Sequence, residues 1–417
     1  MHTYEHSVFL DPQKCTGCTT CLKHCPTEAI RVRDGHAVIN ESRCIDCGEC
    51  IRVCPHKAKK AVCNTLDAMD GFKWKIALPA PALYGQFDNL DDVDYVLSGL
   101  LKLGFDQVYE VSQAAEMVSA YTRLYLATEG VKKPVISAAC PVIVRLISLR
   151  FPSLEDNVMR MLPPMEVAAK LAREKAMKEN PALQPEDIGV CFLSPCPAKA
   201  SYVKNGFGDY MSQVDAVVPI SDVYFKLINE MKPDDLPAQL SESGMIGVGW
   251  AASGGEAAAL FNDSYLAADG IENVIRVLDQ IENGNIPQLE FVELNACTGG
   301  CVGGVLTVQN PFIAKARLQN LRHFLPVSQN FLPSDEQYIP AHYFFNELPA
   351  YQPIAQLSSN IAESMRMLAD IQSLRADLPG LDCGACGAPT CRAFAEDVVR
   401  GRANVKACVV ANSKKEG

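Results

Sequence analysis

From Trp74 onward the chain alternates short apolar runs with amphipathic stretches. IALPAPAL is an apolar run of strand type, and DVDYVLSGLLKLGF follows with helical period. Next come DQVYEVS as a strand, AAEMVSAYTRLYLATEG as a helix, PVISAAC as a strand and VIVRLISLRFPSL as a helix. A second block begins at EDIGVCFLSPC and passes through MIGVGW to LEFVELNAC. Strands alternating with helices predict an α/β domain with a largely parallel sheet. The first 72 residues lack this rhythm. Two strand-like leads, VFLDPQKC and AVINESRC, each precede a helical turn and predict a small α+β segment with an internal repeat. Towards the C-terminus, NIAESMRMLADIQSLRADLPGLDC predicts an amphipathic helix with Met365, Leu368, Ile371 and Leu374 on its apolar stripe. Residues 327–353, rich in Pro, Asn and aromatics, predict a connector packed along the surface.

A chain of 417 residues holds roughly two to four domains. It is 48% hydrophobic and 21% charged, ordinary for a soluble globular protein with a large core. A formal charge of −11 argues against nucleic-acid binding through phosphate contacts. The N-terminal MHTYEHSVFLDPQKC has no basic region followed by an apolar run, so no signal peptide is expected. No stretch reaches the ~18 apolar residues of a membrane span, and a cytoplasmic location is the expectation.

Eighteen cysteines change the picture. In a reducing compartment they read as metal ligands before disulfides. Sixteen form four groups of four, leaving Cys63 without a group and Cys191 as an inert core residue. Cys15-x-x-Cys18-x-x-Cys21-x-x-x-Cys25-Pro26 is followed by Cys44-x-x-Cys47-x-x-Cys50-x-x-x-Cys54-Pro55. This run, given twice, is the bacterial two-cluster ferredoxin signature. Three close thiolates hold one [4Fe–4S] cubane and the fourth comes from the other repeat. Cys15, Cys18, Cys21 and Cys54 are therefore one set, and Cys44, Cys47, Cys50 and Cys25 the other. Zinc prefers two C-x-x-C pairs, so two complete four-cysteine runs ending in Pro favour iron. His24 and His56 beside these ligands read as solvated histidines.

In the central block three strands run up to cysteines: Ser137-Ala-Ala-Cys140-Pro141, Ser194-Pro195-Cys196-Pro-Ala-Lys199, and Glu293-Leu-Asn-Ala-Cys297-Thr-Gly-Gly-Cys301-Val-Gly303-Gly304. Open α/β sheets place ligand sites at such strand ends. These segments, with LKLGFDQVYEV, LPPMEVAAKL and ASGGEAAAL, resemble the three signature motifs of the [FeFe]-hydrogenase catalytic domain over roughly Trp74 to Pro326. The resemblance implies a two-lobed parallel-sheet fold and an H-cluster, a [4Fe–4S] cubane joined to a diiron subsite with CO, cyanide and a dithiolate bridge. Cys140, Cys196, Cys297 and Cys301 match its cubane ligands, Cys301 also as the bridging thiolate. Lys199 matches the lysine that hydrogen-bonds a cyanide ligand. Gly299, Gly300, Gly303 and Gly304 would let the backbone approach the cluster and donate N–H groups to sulfur.

The departures from that pattern point one way. Ala139 stands where active relatives have the proton-relay cysteine, and alanine has no transferable proton. Ser194 and Asn295 replace two methionines of the diiron pocket, and Val305 interrupts the glycine run. The combination resembles the sensory branch of the family, groups C and D, and group D most. Cys383, Cys386, Cys391 and Cys408 resemble the small [4Fe–4S] domain of corrinoid iron–sulfur proteins and some electron-transport subunits.

The resulting domain expectation is a two-cluster ferredoxin-like domain at 1–72, an H-cluster domain at 73–326, a connector at 327–357 and a small helical [4Fe–4S] domain at 358–417. The expected function is a slow, H2-sensing hydrogenase that cleaves or forms H2 heterolytically, with three [4Fe–4S] clusters plus the H-cluster. Its partners would be H2 and protons, a redox partner such as a ferredoxin, hydrogenase maturation proteins and a signalling kinase or phosphatase. The alternative is a hydrogenase-like electron-transfer or scaffold protein without a diiron subsite. Gly247-Val-Gly249 near Gly254-Gly255 lacks a full dinucleotide fingerprint. Glu110 and Glu116 read as helix-surface charges.

Overall fold

The computed structural model describes residues 5–231, 237–332, 338–349, 354 and 356–413. The outer ends of the first and last expected domains and parts of the connector lie outside the described residues.

The N-terminal segment is framed by β1 (Val8–Leu10), β2 (Ile30–Arg33), β3 (His36–Ile39) and β4 (Lys59–Ala61). β1 pairs antiparallel with β4, and β2 with β3. Each cysteine run turns into a four-residue helix, Thr20–Lys23 and Glu49–Arg52. The apolar core here is little more than Leu22, Ile30 and Ala37, with cysteines packed against it. So small a core needs help from what the cysteines bind.

The central domain contains β5 (Trp74–Pro79), β6 (Gln107–Val108), β7 (Val135–Ile136), β8 (Ile188–Ser194), β9 (Ala216–Pro219), β10 (Tyr265–Asp269) and β11 (Phe291–Asn295). They form two wholly parallel sheets, ordered β6-β5-β8-β9 and β10-β11-β7. The fold is mixed α/β in two lobes. Alternate residues of the first sheet enter different cores. Ile76, Leu78, Val190 and Phe192 join the larger core that also takes Val135, Ile136, Phe291 and Val292 from the second sheet. Ala77, Cys191, Leu193 and Val218 face a second core. Burial on both faces explains why β8 reads as an unbroken apolar run. No described helix is long and apolar enough to cross a membrane.

MIGVGW, on the path of the second strand-and-helix block, forms a short helix over Met245–Gly249. A Cβ on Gly247 would stand 2.0 Å from the Ser112 carbonyl oxygen, so the glycine serves helix packing. The strands of that block are β8, β9, β10 and β11. Three expectations need correction. Glu110 and Glu116 are buried rather than on a helix surface. Glu110 accepts from Tyr84 Oη (3.0 Å), Ser243 Oγ (2.7 Å) and the Glu242 amide (2.7 Å). Glu116 accepts from the amides of Gly244 (2.7 Å), Gln329 (3.0 Å) and Asn330 (3.0 Å). Both carboxylates pin loops whose amides would otherwise be unsatisfied. The connector does not merely lie on the surface: Tyr343 and Phe345 are buried in the main core, where Phe345 meets Phe207 edge to face at 5.2 Å. Burying two rings of this size outweighs a surface path.

The C-terminal helix Ile361–Asp377 is capped by Asn360, whose side chain accepts from the amides of Ala362 and Glu363. Of its expected stripe, Ile371 is buried and Leu374 packs on the small core, but Met365 (67%) and Leu368 (43%) are exposed. The domain's core is too small to cover the first two turns.

Candidate functional site

The four cysteine sets converge in space. Cys15, Cys18, Cys21 and Cys54 line one hollow. Cys25, Cys44, Cys47 and Cys50 line another. Cys383, Cys386, Cys391 and Cys408 line a third. The amides of Ala29 and Ala58 donate to Cys25 Sγ (3.2 Å) and Cys54 Sγ (3.3 Å). Burial pushes the Cys50 thiol up to about 12 and holds Cys44 and Cys47 well above the ordinary thiol range. Thiols this dry ionise when a bound cation takes up their charge. Four thiols around one hollow, with N–H groups aimed at sulfur, fit a cubane cluster. Lys59 is 3% exposed, and its Nζ has no hydrogen-bond partner among the described residues. Its charge acts on both Cys21 and Cys50, one from each ferredoxin set.

The fourth set lies where the two parallel sheets end. Cys140, four residues past β7, is the N-cap of helix Pro141–Arg150. Cys196, two residues past β8, is the N-cap of helix Pro197–Asn205. Proline at the first helical position removes an N–H that has no helical partner. The positive helix ends favour an anionic ligand set. Cys297 follows β11 by two residues, and Cys301 opens the turn Cys301–Gly303. Burial pushes Cys196 up to about 11, with the charge of Cys140 adding to it. Burial likewise pushes Cys301 up to about 12, with Cys196 and Cys140 as further causes. Cys301 keeps accessible surface, although burial is the main cause of its thiol's rise. Lys199 opposes the rise at both Cys196 and Cys301, and its Nζ donates to the Ala139 carbonyl at 3.0 Å. Burial pushes Cys63 up to about 12, with the charge of Cys196 as the next cause.

The glycines of the third motif also make room for neighbouring protein backbone. A Cβ on Gly300 would lie 2.4 Å from the Ser253 amide nitrogen, and one on Gly304 would lie 2.1 Å from the Pro195 carbonyl oxygen. They admit neighbouring protein backbone, so that the motif loops close on one another. Ser194 Oγ donates to the Cys196 carbonyl (2.9 Å) and accepts from the Cys196 amide (3.2 Å). Asn295 Nδ2 donates to Glu293 Oε1 at 2.7 Å.

Sequence reasoning missed the carboxyl pair beneath this centre. Glu293 is buried, accepts from the amides of Gly254 (2.9 Å) and Ala257 (2.9 Å), and is raised by burial. Glu256 accepts from Ser137 Oγ at 2.7 and 2.8 Å, and that hydroxyl accepts from the Ala139 amide at 3.1 Å. Burial raises Glu256 well above the ordinary carboxyl range, and the charge of Glu293 raises it further. A carboxylate inside the apolar run LEFVELN was the signal available in the sequence.

Comparison with known proteins places these features. The iron only hydrogenase large subunit, C-terminal domain family matches residues 73–305. A 4Fe-4S dicluster domain matches residues 7–55 and a putative Fe-S cluster domain residues 378–410. The chain is 23% identical over 307 residues to iron hydrogenase 1 of Clostridium pasteurianum, covering 58% of this chain and 51% of the relative. It thus spans about half the length of that curated relative. A variant of [FeFe]-hydrogenase HydA1 from Chlamydomonas reinhardtii is similar at 16% identity and a TM-score of 0.47, over 72% of this chain and 89% of that one. The [FeFe]-hydrogenase structure HydA(deltaEFG) is similar at 18% identity and a TM-score of 0.46, over 61% and 84%. With residues 73–305 of its 417 matched, this iron–sulfur chain belongs to the iron-only hydrogenase large-subunit family.

Proposed function

We propose that the chain is a low-turnover, sensory-type [FeFe]-hydrogenase, organised within the domain limits given by its sequence and working in the cytoplasm. One observation carries this reading. Cys140, Cys196, Cys297 and Cys301 meet with Lys199 at the ends of two parallel sheets, beside an alanine at position 139. The four cysteines would hold the cubane of an H-cluster, with Cys301 bridging to the diiron subsite and Lys199 meeting a cyanide ligand. When bound, that group supplies the iron chemistry that interconverts H2 with two protons and two electrons.

The chain's own residues set the rate. Lys199 is oriented by the Ala139 carbonyl, so its ammonium stays fixed at the join of the first two motifs. Ala139 cannot pass a proton. Ser137 and Glu256 form the next protonatable groups, and the raised Glu256 holds its proton above the pH at which a free glutamate loses it. A route that starts one group further away supports slow exchange. Slow turnover suits signalling, with a kinase or phosphatase as the downstream partner and hydrogenase maturation proteins supplying the diiron subsite. Infrared spectroscopy of matured protein tests this: CO and cyanide stretching bands are expected.

Ser194 and Asn295 favour a second reading, an electron-transfer or scaffold protein without a diiron subsite. Both side chains are committed to protein groups, Cys196 and Glu293. Absence of the infrared bands after maturation, with iron–sulfur clusters intact, would select it.

A further inference from the structure

One loop of the ferredoxin segment touches the continuation of all three central motifs. Asp46 lies between Cys44 and Cys47 and is 1% exposed. Ser201 Oγ, on the helix that follows Cys196, donates to Asp46 Oδ2 at 2.8 Å. Arg145, on the helix that follows Cys140, meets the same oxygen at 3.5 Å. Gly48 has a φ of +75°, and a Cβ there would stand 2.6 Å from Val305 Cγ2. Val305, which interrupts the glycine run after Cys301, therefore packs against this loop. The same stretch carries Arg52, two residues past Cys50. Its Nη2 donates at 2.8 Å to the carbonyl of Gly303, two residues past Cys301.

The last contact brings a cation to the central cysteines. Burial holds the Cys297 thiol well above its ordinary range, the charges of Cys196 and Cys140 add to the rise, and the Arg52 guanidinium opposes it. Lys199 plays the matching part at Cys196 and Cys301. The centre thus draws positive charge from its own second motif and from outside the matched residues 73–305. Two carboxylates act against these cations. Glu293 adds to the rise at Cys301, and Glu49 Oε2 meets Arg52 Nε at 3.2 Å. The side chains of Arg52 and Glu49 are 35% and 25% exposed, so water screens part of each charge. A cubane on four thiolates is anionic and gains a further negative charge on reduction. A fixed cation nearby favours that reduced state.

We propose that Arg52 is a positioning residue of the central cubane. It holds the Cys301 turn through the Gly303 carbonyl and raises the cluster's reduction potential by its charge. The ferredoxin segment thereby completes a site that residues 73–305 do not build alone. The proposal rests on the iron–sulfur reading of Cys140, Cys196, Cys297 and Cys301 and not on the diiron subsite.

The test uses the full chain with reconstituted cubanes and no diiron subsite. Dithionite reduces it stepwise, each cubane taking up one electron with no bond made or broken, and EPR follows the reduced clusters. The signal lost in Cys297→Ala identifies the central cubane. The C-terminal cluster serves as the internal control, because its loop docks on β2. There the Val32 amide donates to the Gly387 carbonyl at 2.9 Å, and Asp397 pairs with Arg31 (2.7 Å) and Arg33 (2.6 Å). In Arg52→Gln the iron content and the C-terminal cluster's midpoint should match the parent. At the parent's midpoint potential, the reduced-to-oxidised ratio of the central cubane should fall roughly tenfold. Arg52→Lys keeps the charge and should restore most of that ratio, while Glu49→Gln should raise it. Loosened packing alone would not move the two members of one ion pair in opposite directions. A parental midpoint in Arg52→Gln, or an equal fall in Arg52→Lys, would overturn the proposal. Loss of no signal in Cys297→Ala would instead refute the iron–sulfur reading of the central set, and the proposal with it.

Discussion

Lys199 Nζ donates to the Ala139 carbonyl at 3.0 Å and so ties the second cysteine motif to the first, one residue before Cys140. Because the acceptor is backbone, a side-chain change at 139 leaves the tie in place. Ala139→Cys adds a thiol with an ordinary pKa of about 8.5, able to exchange protons near neutral pH. H2 evolution from reduced viologen should rise roughly tenfold or more at equal diiron loading. Equal rates would show that proton supply does not limit turnover.

Glu256 should control the alkaline limb of the pH profile. Burial, then the charge of Glu293, raises its carboxyl. The proton stays on below that raised value and is lost as pH climbs through it. Glu256→Gln should cut turnover by roughly ten- to hundred-fold and remove that limb, while infrared bands and iron content stay the same. Glu256→Asp should restore part of the rate. A pH profile unchanged in Glu256→Gln would exclude the role.

Lys59 should raise the reduction potentials of the ferredoxin clusters. Its buried ammonium acts on one cysteine from each set. Added negative charge on reduction is stabilised by a nearby cation in a low-dielectric setting. Lys59→Met keeps the volume and removes the charge. Potentiometric EPR should show both clusters shifting to more negative potential; a positive shift would contradict this electrostatic role.

Metal content should follow the four sets of four thiols. Anaerobic reconstitution should load about sixteen irons before any diiron subsite is added, at four per cubane, with matching acid-labile sulfide. Stripping the iron should unfold the N-terminal segment first, because its apolar core is the smallest of the ferredoxin and central domains. Half the iron, with stoichiometric zinc in its place, would reverse the ligand assignment.

The cysteine sets were legible because cluster ligation constrains spacing along the chain as well as position in space. The exchange of Cys25 and Cys54 between repeats could be read from the motif alone. The α/β rhythm was legible for the same kind of reason: strands such as β8, buried on both faces, appear as continuous apolar runs. What escaped depends on partners distant in sequence. Glu116 sits on a helix and Glu110 immediately precedes it, and only the loops at 242–244 and 328–330 show why they are buried. β10 is half-buried and ends in Asp269, so its apolar signal is weak. Ser194 and Asn295 were recognised as substitutions, but their hydrogen bonds to Cys196 and Glu293 required the fold.

The ion pairs of Arg31 and Arg33 with Asp397 join positions 366 and 364 residues apart. During N-to-C synthesis the β2 edge therefore stays bare while the whole hydrogenase domain is made. Once that domain has folded it holds the two ends near each other, and closing so long a loop adds little entropy penalty. The C-terminal domain then acts as a late closure over the ferredoxin segment. Order of assembly thus follows from the distance between two short stretches of sequence.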